Sequence, residues 1–328
     1  MLSRLLALGR ISETKFISAV PGKAPPGAKA TFGGTIVAQA LWAAIKTTSR
    51  SFEPASLQCY FLVGGDPKER IVYEVELLRD GRSFAHRLVR AYQFKKVICV
   101  ATIMLYDSEA SRPLPAGDSV SFLKNLEDFP ELKKMRPAAQ LFEQKVIGNL
   151  DRYHHLNESW KSPKILDPFV KRFESGAIDY QFPEDIFDSA EYHGKDKQTH
   201  LTKLDYYQRV RRPAANNFEE SEDSKDPRFQ YVQFAYLTDA YLLLCLPYFH
   251  LLPLYCHKFS VSLDHTIHFH KRPNVYDWLA LRVTNPRSEN GRHLVRGEYY
   301  NDNKEPVASV TQEGLVVYDS PSKIRSRF

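Results

Sequence analysis

No stretch of 18 apolar residues occurs in this 328-residue chain, so no membrane span is expected. No Cys-x-x-Cys pair occurs either. Cys59, Cys99, Cys245 and Cys256 are scattered through apolar segments, which argues against a zinc site or a disulfide framework and for a reducing compartment. Charge of one sign never accumulates: 45 Lys and Arg stand against 39 Asp and Glu, a net charge of +6. That mild, mixed surface makes nucleic acid a poor partner, whereas an anionic small ligand suits it. What is present is an ordinary globular balance, 43% hydrophobic and 26% charged, on a chain long enough for about two domains.

The two ends carry opposite expectations. At the N-terminus, "MLSRLLALGRISETK" has the arginines of an organelle presequence, but its apolar block is too short for a secretory leader and Glu13 follows soon. The expectation is that Leu5, Leu6, Leu8 and Ile11 form a helical face packed on the domain. At the C-terminus, Ser326-Arg327-Phe328 has the small–basic–apolar form of a peroxisomal address, with Phe in the place Leu holds in Ser-Lys-Leu. A peroxisomal import receptor is the partner this implies; without the signal the location is cytoplasmic.

The chain repeats itself. "SLQCYF" at 56–61 answers "SLDHTI" at 262–267, and "LVR" at 88–90 answers "LVR" at 294–296, each pair 32 positions apart within its half. "VAT" (100–102) answers "VAS" (307–309), and both copies end in Tyr-Asp. Shared order at nearly shared spacing points to two copies of one α+β unit. In the first, "GGTIVAQALWAAIKTTS" (33–49) has helical spacing, with Gly33 and Gly34 at its start. Strands are expected at 56–63, 71–78, 83–94 and 96–106, and the alternation of "IVYEVELL" puts Ile71, Tyr73, Val75 and Leu77 on one face. "RDGR" (79–82) forms the turn after it. In the second copy, strands "FVKRF" and "KLDYYQRV" precede a helix at about 231–246, and strands follow at 260–270, 278–285, 292–301 and 305–318. The domain expectation is a first unit over 1–110, a Pro-rich, charged connector over 111–160, and a second unit over 161–328.

Three polar residues stand out in the second copy. Asp239 interrupts "YLTDAYLLL", with Ala235, Tyr236, Leu242 and Leu243 as its helical neighbours. An acid there either reaches water at the stripe's edge or is buried with partners, because a lone buried carboxylate is costly. Gln312 shares a strand face with Ala308 and Val310, where an amide needs hydrogen-bond partners. The first copy has Leu105 at the matching position. Ser262 opens "SLDHTIHFH". Strict alternation groups it with Asp264, Thr266, His268 and His270, and it can point inward with the apolar set only through a β-bulge. The same histidines are a poor metal site, since no third ligand lies nearby.

The stretches "FGGTIVAQAL" (32–41), "YFLVGGD" (60–66), "VELLRDGRSF" (75–84), "SLDHTIHFH" (262–270), "LVRGEYY" (294–300) and "VASVTQEGLV" (307–316) together resemble the acyl-CoA thioesterase II family. The resemblance spans both repeats. It departs at Gln58, where members usually carry His, and at Val63 and Gly64, which replace a cation and a proline. It implies an α+β double hotdog, two hotdog units in tandem, each a long central helix wrapped by an antiparallel sheet. It also implies hydrolysis of acyl-CoA to a free fatty acid and CoA, with no cofactor, since CoA belongs to the substrate. By motif the family's catalytic trio falls on Asp239, Ser262 and Gln312.

A thioester carbonyl is already reactive, so such a trio has only to hold a water, accept its proton and direct its attack. A covalent acyl-serine is disfavoured by the absence of a Gly-x-Ser-x-Gly elbow. Amides at a helix start are natural oxyanion donors, which makes Gly33 and Gly34 candidates. Arg79, Arg82 and Arg90 are candidates for the CoA phosphates or, equally, members of a solvated face. Two alternatives remain: an enoyl-CoA hydratase using Asp264-His265, whose side chains as strand neighbours point opposite ways, and a non-catalytic acyl-CoA-binding protein. Two units in one chain supply internally the pairing that single-unit hotdogs obtain by dimerising, which is compatible with a monomer and with a further homo-oligomer.

Overall fold

The computed structural model describes residues 2–110, 126, 128–149, 163–188, 201–212, 221–252 and 257–318. The chain begins with α1 (Leu2–Leu6) and the hairpin β1 (Leu8–Arg10) and β2 (Lys15–Ser18). The first unit continues with α2 (Gly33–Ile45), β3 (Phe52–Phe61), β4 (Val72–Asp80), β5 (Phe84–Gln93) and β6 (Lys96–Asp107). Then come β7 (Arg136–Pro137), α3 (Ala138–Lys145), α4 (Pro163–Ser175), β8 (Ile178–Phe182) and β9 (Leu204–Val210). The second unit is completed by α5 (Phe229–Asp239), α6 (Leu246–Phe249), β10 (His257–Ser262), β11 (Asp264–Phe269), β12 (Leu279–Glu289), β13 (Arg292–Tyr300) and β14 (Pro306–Tyr318).

Among the described residues the strands form one antiparallel sheet in the order β1-β2-β4-β5-β6-β3-β11-β14-β13-β12-β9-β8-β7, with β10 beside β14. The halves join where β3 meets β11. Tyr60 lies opposite Asp264, Cys59 opposite His265 and Gln58 opposite Thr266. Ser56 matches Ser262 in the repeat, so Cys59 matches His265, and a local twofold axis relating the two units passes through that cross-strand pair. Each unit is a helix cradled by antiparallel strands, the tandem hotdog arrangement.

Inside the sheet, α2 and α5 run antiparallel against each other. Every residue of α2 from Gly34 to Ile45 is buried, which is why it is apolar all round rather than amphipathic. The Trp42 ring meets Phe229 edge-on at 5.3 Å, and Lys46 at the far end pairs with Asp223. At the other end, a Cβ added to Gly34 would lie 2.9 Å from the Tyr236 carbonyl oxygen. The stretch Phe229–Phe249 is long and apolar enough to cross a membrane by composition, but 78% of its apolar window is buried within the protein. One hydrophobic core runs through both halves.

Four expectations need correction. "FVKRF" is not a strand but part of α4, because Leu166, Phe169, Val170 and Phe173 fall at helical spacing and Phe173 enters an aromatic cluster with Phe142, Tyr180, Phe182 and Phe187. The second long helix stops at Asp239 instead of 246. A 3₁₀ turn over Leu243–Cys245 follows, and the Leu243 side chain occupies the place of the Cβ that Gly314 lacks, 2.6 Å away. The N-terminal helix ends at Leu6. Leu6 and Leu8 are core residues as expected, but Leu8 belongs to a strand and Ile11 is exposed. Alternation in β4 holds for Ile71, Tyr73 and Val75 and fails at Leu77, which is exposed next to a register shift between Leu77 and Arg79. Of the connector, residues 126 and 128–149 are described: Leu126 and Phe129 pack on Ala280 and Tyr300, and β7 pairs with β8. Cys256 and Ser326-Arg327-Phe328 lie outside the described residues.

Two outcomes follow. Gly34→Ala should destabilise by about 1–3 kcal/mol through overpacking of the helix crossing, read as a lower Tm; an unchanged Tm would contradict the crossing geometry. Burial also pushes the imidazoles of His257, His265 and His293 below the usual histidine range. The unfolded chain takes up protons near pH 6.5 that the folded chain refuses, so this stability is complete above about pH 6.5 and declines as pH falls from there toward the lowered values. Thermal unfolding at pH 7.5, 6.5 and 5.5 should show the Tm dropping at the last step. A Tm highest at pH 5.5 would contradict it.

Candidate active site

The last residue of α5, Asp239, is buried. On β14, Gln312 follows Ala308 and Val310 inward and is fully buried. Its amide nitrogen donates both hydrogens nearby, one to Asp239 Oδ1 at 2.7 Å and one to Ser262 Oγ at 2.7 Å. The carboxylate therefore has a partner, and the amide holds carboxylate and hydroxyl in one fixed relation.

Ser262 reaches this point through a bulge. Across β14, Ser262 lies opposite Gly314 but Thr266 lies opposite Thr311, so the segment containing Ser262 has one residue more than its partner. Leu263 breaks the strand there. Its N–H donates to the Glu313 carbonyl and its own carbonyl accepts from Phe61, while Asp264 Oδ1 accepts the Glu313 N–H at 2.7 Å. Beyond the bulge the parity is reversed: His265, Ile267 and Phe269 are buried and His268 is exposed. His270 also turns outward, where its Nε2 meets Ser309 Oγ at 2.8 Å.

The start of α2 completes the site. A Cβ placed on Gly33 would sit 3.0 Å from Asp239 Oδ2 and 3.1 Å from the Phe61 ring. The Asp239 oxygen not bonded to Gln312 thus lies beside the first turn of α2, and the N-cap residue, Phe32, makes no side-chain hydrogen bond to that turn. First-turn amides and their dipole favour negative charge at this position.

Of the residues singled out from sequence, Asp239, Ser262 and Gln312 meet, Gly33 lies beside Asp239, and Gly34 follows it in the first turn of α2. The arginines do not join them. Arg79 and Arg82 belong to the β4–β5 hairpin, which is level with the Phe52 end of β3, while the trio is at the Phe61 end. Ten strand residues separate the two ends, roughly 30 Å. Arg90 is at the level of Tyr60 but between the inward-facing Val89 and Ala91, so it points away from the helices, and it pairs with Glu76 at 2.8 Å. Sequence reasoning missed Phe61, Thr238 and His265 around the trio. The visible signal for His265 was its phase: it alternates with Ile267 and Phe269, so it had to be buried with them.

The first unit has no matching site. Ser56 is retained, but fully buried Leu105 replaces the amide, and α2 contains no acidic residue.

Comparison with known proteins identifies the family and the fold. The family description "Acyl-CoA thioesterase" fits residues 213–315 and "Acyl-CoA thioesterase N-terminal domain" fits residues 20–106. The peroxisomal acyl-coenzyme A thioester hydrolase 1 of Saccharomyces cerevisiae is 39% identical over 100% of this chain and 97% of its own length. Human acyl-coenzyme A thioesterase 8 is 26% identical over 88% of this chain and 81% of its own length. Among solved structures, acyl-CoA thioesterase II TesB2 from Mycobacterium marinum shares the fold at a TM-score of 0.66 and 23% identity, covering 97% of both chains. A hot dog fold protein of unknown function from Alicyclobacillus acidocaldarius does so at 0.64 and 14% identity, covering 97% of this chain and 98% of its own. With a relative this similar along its whole length, the chain belongs to the acyl-CoA thioesterase family.

Proposed function

We propose that this protein hydrolyses acyl-CoA thioesters to a free fatty acid and CoA, using one water held by Asp239, Ser262 and Gln312. The observation that carries the reading is the Gln312 amide, whose two hydrogens are spent on Asp239 Oδ1 and Ser262 Oγ. Because Ser262 Oγ accepts from Gln312, its own hydrogen is free to point at a water. The second carboxylate oxygen of Asp239 accepts a hydrogen from the same water. Gln312 is then the clamp that sets the spacing of these two groups, and the water is held in one orientation before the thioester arrives.

In the proposed reaction, the water oxygen attacks the thioester carbonyl carbon as Asp239 takes its proton. Charge develops on the carbonyl oxygen, and the amides of Gly33 and Gly34 at the start of α2 are the donors we assign to it. The tetrahedral species collapses by breaking the C–S bond. The sulfur departs as CoA thiolate, a good leaving group, and takes up the proton held by Asp239, which restores the carboxylate and leaves the carboxylic acid product. Enoyl-CoA hydration through Asp264 and His265 is less well supported, because Asp264 is engaged by the Glu313 N–H and His265 lies buried on the opposite side of the strand.

The peroxisomal relative and the Ser326-Arg327-Phe328 ending support a peroxisomal location for this chain.

Asp239→Asn, close to isosteric, should leave the Tm nearly unchanged and lower kcat by about 100-fold or more, measured as free-thiol release across a series of acyl-CoA chain lengths. Gln312→Ala should lower kcat by about 100-fold because the clamp is gone. If either variant hydrolyses every chain length within a few-fold of the parent, the trio is not the machinery. Deleting the last three residues should move a fluorescent fusion from peroxisomes to cytosol; continued peroxisomal import would exclude that tripeptide as the address.

A further inference from the structure

His265 sits at the centre of the seam between the two units, opposite Cys59 on β3, and is completely buried. Its Nε2 lies 2.9 Å from the hydroxyl of Thr238, the residue beside Asp239 on α5. That hydroxyl is also 2.9 Å from the Ala235 carbonyl one turn back. Two buried atoms nearby have no hydrogen-bond partner, His265 Nδ1 and Gln312 Oε1. In the β11–β14 register, with Thr266 opposite Thr311 and Ile267 opposite Val310, His265 and Gln312 are the next cross-strand neighbours, and both are fully buried. Buried polar atoms without partners are rare in native proteins and costly.

Thr238 has one hydroxyl hydrogen, and the choice of where it points fixes the rest. If it goes to Ala235, then His265 must carry its proton on Nε2, and Nδ1 presents a lone pair to the Gln312 carbonyl oxygen, acceptor against acceptor. If it goes to His265 Nε2, the imidazole carries its proton on Nδ1 and donates it to Gln312 Oε1, while the Ala235 carbonyl keeps its helix bond. The second arrangement satisfies both orphaned atoms. The groups that act on His265 are Asp239 from α5, Asp264 beside it in the strand but on the other face, Gln312 from β14 and Cys59 from β3. Burial pushes the Cys59 thiol up, so it is neutral, and burial outweighs the two carboxylates and Gln312 in pushing the imidazole down, so it is neutral too.

We infer that His265 is a positioning residue of this site: its neutral imidazole donates Nδ1–H to Gln312 Oε1 and thereby keeps the amide nitrogen aimed at Asp239 and Ser262. The inference rests on the Asp239–Ser262–Gln312 reading and gives Gln312 a second anchor, behind it. Without that anchor the amide is held from one end only, and the spacing of carboxylate and hydroxyl loosens.

Nitrogen NMR of histidine-labelled protein at pH 7.5 should show His265 protonated on Nδ1 and bare on Nε2. The reverse tautomer overturns the inference whatever the activities are. For kinetics, an Asn amide nitrogen can take the place of Nδ1 and a Gln amide nitrogen that of Nε2. His265→Gln should therefore lower kcat about tenfold with KM little changed, whereas His265→Asn keeps kcat within about threefold of the parent, each corrected for the folded fraction. Combined with Gln312→Ala, His265→Gln should add no further loss, because both act through one amide. Equal losses in the two His265 variants, or losses that multiply with Gln312→Ala, would mean that His265 only fills space. A crippled Gln312→Ala beside a fully active His265→Gln sinks this inference alone. A fully active Gln312→Ala sinks the trio and the inference together.

Discussion

Close approach between the C-terminal end of α5 and the N-terminal end of α2 is the constraint on which the site depends. Gly34 passes the Tyr236 carbonyl where a Cβ would be only 2.9 Å away, and at Gly33 a Cβ would press tightly on Asp239 and Phe61. The approach places a carboxylate against the electropositive start of a helix from the other unit. It also buries that carboxylate, so Asp239 requires a polar partner, and Gln312 supplies it. Arg172, reaching from α4 to the Ala240 carbonyl, satisfies the other side of the same helix end.

The approach follows from how the two units pair. β3 and β11 join the sheets about a local axis through Cys59 and His265, and this forces α2 and α5 to lie antiparallel inside one continuous sheet. Symmetry alone would give two equivalent ends. The sequence breaks it: Leu105 stands where Gln312 does, α2 carries no acid, and the opposite end of the helix pair is tied off by Lys46 with Asp223 and by Arg228 with Asp226. One half keeps the polar cluster and the other supplies glycines and packing. Among the described residues the duplicated fold thereby holds one such cluster, to which both copies contribute.

With the inferred proton placement on His265, the polar groups around the trio form a chain, from Thr238 through His265 and Gln312 to Asp239 and Ser262. Each member uses a hydrogen-bonding capacity that its neighbours leave open. Such a network is rigid when every donor finds an acceptor and weak when one does not, which is why the proton position on a fully buried imidazole matters to a carboxylate several bonds away.

Much of this was readable in the residues. The repeat at matching spacing pointed to two similar units, the apolar periodicity pointed to a helix from Gly33, and an acid at 239 and an amide at 312 needed partners if they were buried. These are local requirements of periodicity and desolvation, and they hold whatever surrounds them. "FVKRF" misled because five residues cannot separate a strand from a helix when Leu166 completes the helical face from outside the window. The arginines lie away from the trio, because charge beside a hairpin says nothing about which end of a strand faces it. Only the tertiary structure decided the rest. The bulge at Leu263 turns Ser262 inward against the alternation of its own strand, the helix crossing brings Gly33 of one unit to Asp239 of the other, and His265 becomes a neighbour of Gln312. Each is a contact between segments far apart in the chain, set by strand register and helix packing, which no local pattern encodes.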